Sequence, residues 1–74
     1  MKAKFIEMFR GVASYQIGFS WMVEVYDDFA VPRFFKSDAK HEGDFYPVNP
    51  DKVPARVKAA TVGLHKDRHD RLWA

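Results

Sequence analysis

His65 and His69 stand four residues apart. On a helix that spacing turns both imidazoles to one side, as two histidines must be turned to grip a single divalent metal. A third ligand would have to come from His41 or Glu42, brought in by the fold. No glutamate follows the first histidine and no second ligand pair is visible, so the plainer reading is two exposed imidazoles near a helix end. No metal is therefore expected, and His65 and His69 are the only candidates held in reserve. Acid–base work needs a desolvated or charge-coupled pair. Asp27, Asp28, Asp38, Glu42 and Asp44 fall instead in loop-like stretches with no sign of burial. Ser14, Ser20 and Ser37 have no neighbouring base, and Gly11, Gly18, Gly43 and Gly63 are too scattered to cradle a phosphate. The expectation is a chain that is not an enzyme and carries no cofactor.

Composition shifts attention from catalysis to contact. The chain has 74 residues, no cysteine, seven Phe, three Tyr and two Trp. One domain of this size buries only about 60% of its unfolded surface, and the usual reinforcements are disulfides, metals or a partner. Disulfides and thiolate zinc sites are excluded by the lack of cysteine. Each aromatic ring can bury roughly 150–250 Å², so rings left over from the core are natural anchors for a partner. Net charge is +2, with the basic excess in residues 51–74. That is less than the dense basic stripe of a dedicated nucleic-acid binder. Glu7 and Arg10 interrupt any signal-peptide core, which favours an intracellular chain. The longest run without charge, Gly11 to Val23, is shorter than the ~20 apolar residues of a membrane span.

The elements follow from spacing. Phe5, Met8, Phe9 and Val12 recur at helical intervals, and Gly11 stands where a C-terminal cap would. A short N-terminal helix over Ala3–Arg10 is predicted. From Tyr15 to Tyr26 the period changes to two. Tyr15, Ile17, Phe19, Trp21, Val23 and Val25 share one parity, as on an extended strand or hairpin. Asp27-Asp28 signals a turn before a second extended stretch, 29–35, which Pro32 confines to a sheet edge. Lys36–Gly43 is loop-like, and 45–50 is an extended arm holding Pro47 and Pro50. With Asp51 as N-cap, a C-terminal helix from about Lys52 presents Val53, Val57, Ala60 and Leu64 as an apolar seam. Lys66/Asp70 and Asp67/Arg71 are i, i+4 ion pairs on that helix.

The fold class expected is therefore α+β: a short N-terminal helix, an aromatic-rich strand or hairpin, and a C-terminal amphipathic helix, in one domain over 1–74. The alternative is all-α, with one long helix at 3–29 joined to the C-terminal helix by the proline-containing arm. Function is expected to be that of a non-enzymatic interaction module, a small accessory subunit or adaptor of a larger protein assembly. Tyr15, Phe19, Trp21, Phe45, Tyr46 and Trp73 are its candidate contacts. The helical alternative implies an accessory subunit of a membrane complex, respiratory or photosynthetic in type. A third possibility is a small nucleic-acid binder using the basic C-terminal helix.

Overall fold

Residues 1–37 and 44–74 are described by a computed structural model of the chain. Five strands form a single antiparallel sheet: β1 (Ala3–Phe9), β2 (Val12–Ile17), β3 (Trp21–Val25), β4 (Arg33–Ser37) and β5 (Phe45–Val48). Their spatial order is their order in the chain, so every strand pairs with its sequence neighbour. A 3-10 turn (Pro50–Lys52) leads into two short helices, α1 (Ala55–Ala59) and α2 (Leu64–Leu72).

The N-terminal helix predicted for Ala3–Arg10 is overturned, and with it the all-α alternative. That segment is β1, and the reason it imitates a helix is local. Pairing with β2 slips between Phe5 and Glu7, leaving Ile6 as the extra residue of a β-bulge. Past the bulge the alternation resumes in the opposite phase. Phe5 opposite Tyr15 and Met8 opposite Ala13 therefore share one face although they are three residues apart. A three-residue apolar interval is the helical signature, and here a bulge produces it. Gly11 does adopt the left-handed conformation of a cap, with φ 79°, but in a hairpin turn beside Arg10 at φ 51°. Positive φ at both positions of a two-residue connection matches the right-handed twist of the flanking strands.

The period-two segment is a hairpin. Residues 18–20 turn between β2 and β3, and Ile17 pairs with Trp21, so the alternation keeps its phase across the turn. Tyr15, Ile17, Trp21, Val23 and Val25 are buried, while Phe19 occupies the turn and is 99% exposed. Lys36 and Ser37, expected in a loop, instead extend β4, where Lys36 lies 5.6 Å over the Trp21 ring. Pro47 lies in β5, an edge strand, where its missing N–H removes no ladder bond to a further neighbour.

The helices close one face of the sheet. Val53, Val57 and Leu64 are buried and complete a core with Ala13, Tyr15, Ile17, Trp21, Val23, Val25 and Phe34, and Ala60 packs against it. The predicted start at Lys52 is displaced. Asn49 caps the 3-10 turn through a 2.9 Å bond from the Asp51 N–H, and α1 begins only after Pro54. Nor is the segment one continuous rod. Gly63, at φ 86°, breaks it between α1 and α2, a conformation that costs glycine nothing.

Candidate interaction surface on the helix-free sheet face

Helix α2 is fastened to the sheet by polar contacts on two sides. Toward β1 and β2, the Tyr15 hydroxyl donates to Asp67 Oδ2 at 2.5 Å and Arg71 Nε donates to the same oxygen at 2.7 Å. The Arg71 guanidinium also lies 3.7 Å from the Phe5 ring centroid, and Phe5 meets Tyr15 edge-on. Burial, and then the neighbouring Asp67 carboxylate, push the Tyr15 phenol well above its usual range. The hydrogen bond from Tyr15, and then that from Arg71, hold Asp67 below the usual carboxylate value. Toward the connecting loops, buried Arg68 donates from Nε to Gly11 O at 2.7 Å and from Nη1 to Asp28 Oδ1 at 3.1 Å.

The two histidines face that same loop side. His65 Nε2 lies 2.8 Å from Ala30 O, and His69 Nδ1 lies 3.3 Å from Asp28 Oδ2. Their ring nitrogens thus meet a backbone carbonyl and a carboxylate of the β3–β4 connection. Among the described residues no group of three or more His, Cys, Asp or Glu is placed to hold a metal. His41 and Glu42, the proposed third ligands, lie outside the described residues. No described helix is long and apolar enough to cross a membrane, and 3–29, expected as a helix under the membrane reading, is strand and turn. Of the C-terminal cations, Arg68 is buried, and Lys66 and Arg71 are tied to Asp70 and Asp67 at 2.7 Å.

The expected contact residues do not form one surface. Tyr15 and Trp21 lie in the chain's own core. Phe19 is at the β2–β3 turn, Phe45 and half-exposed Tyr46 are on β5, and Trp73, 75% exposed, follows α2 beside His69. The sheet face opposite the helices is a different matter. Lys4, Gln16, Met22, Phe35 and Pro47 are successive register partners, making one row across all five strands. The next row runs Glu7, Ser14, Glu24, Arg33 across four strands. No described helix packs over these rows; Met22, Glu24 and Phe35 are half-buried, and Lys4, Glu7 and Arg33 are exposed. At five strands spaced about 4.8 Å apart the face is about 20 Å wide.

At the end of this face nearest the β1–β2 turn the surface is concave. Glu7, Phe9, Arg10, Val12, Ser14, Glu24 and Arg33 enclose about 300 Å³. Ser14 is only 9% exposed and lines the hollow. The Arg10 guanidinium sits 5.2 Å from the Phe9 centroid and that of Arg33 4.2 Å from the Tyr26 centroid. Sequence reasoning missed this group. Five of its members fall within residues 7–14, on one hairpin, and Glu24 and Arg33 join them only through the register of β3 and β4.

Comparison with known protein families, curated proteins and solved structures finds no match to this chain.

Proposed function

We propose that this chain is a non-enzymatic protein-interaction module that docks a partner on the helix-free face of its sheet. One observation carries the reading. The helices dry only one side of the sheet, and the other presents Phe9, Val12, Met22 and Phe35 among mixed charges. Such a mixture of apolar patch and flanking charge is the anatomy of a non-obligate interface. A face about 20 Å wide, with strands of similar length, offers on the order of 400 Å², below the ~800 Å² per partner of a standard complex. The partner is accordingly held transiently, with exposed rings such as Phe9 acting as anchors. The glutamates inside the face speak against a nucleic-acid phosphate backbone as the occupant.

The test uses immobilised chain, wild type and a Phe9→Ser/Phe35→Ser double variant whose fold is verified by circular dichroism. A partner recovered with wild type is then purified and its affinity measured against both. At least tenfold weaker binding by the double variant supports this face. Equal affinity, or a partner that instead requires Trp73 or Phe19, rejects it.

A further inference from the structure

We infer that the outer edge of β1 pairs antiparallel with β1 of a second copy of this chain, about a two-fold axis normal to the sheet. The two edges of the sheet are unlike. β5 is four residues long and carries Pro47, which has no N–H to offer a further strand. β1 is seven residues long, holds no proline and bonds to β2 alone. Its outward backbone groups face no described strand. Such an edge is a template for another chain unless its side chains forbid the match.

Here the side chains match their own copy. Lys4 and Glu7 are three residues apart, an interval that in a regular strand puts residues on opposite faces. The bulge at Ile6 brings both to the helix-free face, Lys4 opposite Gln16 and Glu7 opposite Ser14. It likewise leaves Ala3 and Met8 together on the helix-bearing face, opposite the core residues Ile17 and Ala13. An axis normal to the sheet preserves faces. Centred between Phe5 and Ile6, it sets Lys4 against the copy's Glu7, Glu7 against the copy's Lys4, and Ala3 against the copy's Met8. The other register that keeps faces matched along the strand puts Lys4 against the copy's Phe9 and leaves both charges without an opposite. Charges on an edge turn unrelated strands away; exposed and mirrored as these are, they admit the chain itself. Ile6, 48% exposed, lies beside the axis and is covered by the copy. Two five-stranded sheets joined this way carry their helix-free faces side by side, so a partner that meets one face weakly meets two at once. The edge pairing itself does not require that docking.

The test is sedimentation equilibrium of the whole chain over a concentration series, with folding of each variant checked by circular dichroism. A monomer–dimer equilibrium that weakens with added salt is expected. Lys4→Glu and Glu7→Lys each set like charges opposite one another and weaken it at least tenfold. Mixing the two single variants, or combining both changes in one chain, restores association because opposite charges again face each other. A chain that stays monomeric up to about 1 mM overturns the inference. So does a dimer indifferent to either reversal, or a pair of single variants that fails to associate when mixed. A dimer abolished by Phe9→Ser/Phe35→Ser but untouched by the charge reversals places the contact on the helix-free face and equally rejects the edge pairing.

Discussion

The Tyr15 hydroxyl, on the second strand, donates a 2.5 Å hydrogen bond to Asp67 of the last helix, fifty-two positions away. It is one of the few polar ties between the sheet and the helix that covers it, and it links a buried phenol to a carboxylate shared with Arg71. Removing it unfastens the lid without hollowing the core. Tyr15→Phe keeps the ring and leaves Asp67 with Arg71, so a loss of about 1–2 kcal/mol is expected in urea denaturation. An unchanged midpoint would show the bond to be energetically idle.

The same pair sets an alkaline limit. The phenol is raised above its ordinary value of about 10, first by burial and then by Asp67. A group raised on folding contributes stability that is complete below its unfolded pKa and is lost as pH climbs toward the folded value. Stability of the wild type should therefore fall above about pH 10. Tyr15→Phe should show a shallower decline over that range, read from thermal midpoints.

At the acid end Asp67 has the opposite sign. Its carboxyl is lowered, first by the Tyr15 hydrogen bond and then by that of Arg71. A lowered group contributes stability above its unfolded pKa, and the contribution disappears as pH drops through the folded value. The melting temperature should decrease below about pH 4. In Asp67→Asn the slope should flatten, and an identical pH profile in that variant would contradict the assignment.

Arg68 is the other fastening. Buried, it bridges the β1–β2 turn at Gly11 and the β3–β4 connection at Asp28. Arg68→Met retains most of the stem but strands the Gly11 carbonyl, for an expected cost of about 2–3 kcal/mol. Asp28 is partly exposed, so Asp28→Ala should cost less, about 1 kcal/mol. Equal losses from the two would mean that the turn contact contributes little.

Arg10 occupies a backbone conformation that suits asparagine or glycine far better than arginine, at φ 51°. Arg10→Asn should stabilise the hairpin by about 1 kcal/mol, visible as a higher urea midpoint. No gain would indicate that stacking on Phe9 offsets the strain.

What could be read from the residues divides along physical lines. The alternation Tyr15, Ile17, Trp21, Val23, Val25 was legible because the three-residue turn preserves its phase, and for the same reason it concealed the turn and misplaced Phe19. The Val53, Val57, Leu64 seam was legible because each helix buries a single stripe. The first strand was misread because one bulged residue, Ile6, converts a two-residue period into a three-residue interval. Glu7, Ser14, Glu24 and Arg33 carry no local pattern at all. Their grouping is decided by which strand lies beside which, and by how far each has slid.

The unbroken sequential pairing of the strands bears on how the molecule is made. Each hairpin can zip as soon as its own two strands have left the ribosome, with no distant segment to await. The covering residues Val53, Val57 and Leu64 emerge only after all five strands. Until then Tyr15 and Trp21 remain wet, so the nascent ribbon passes through an interval in which both of its sides are open to neighbours.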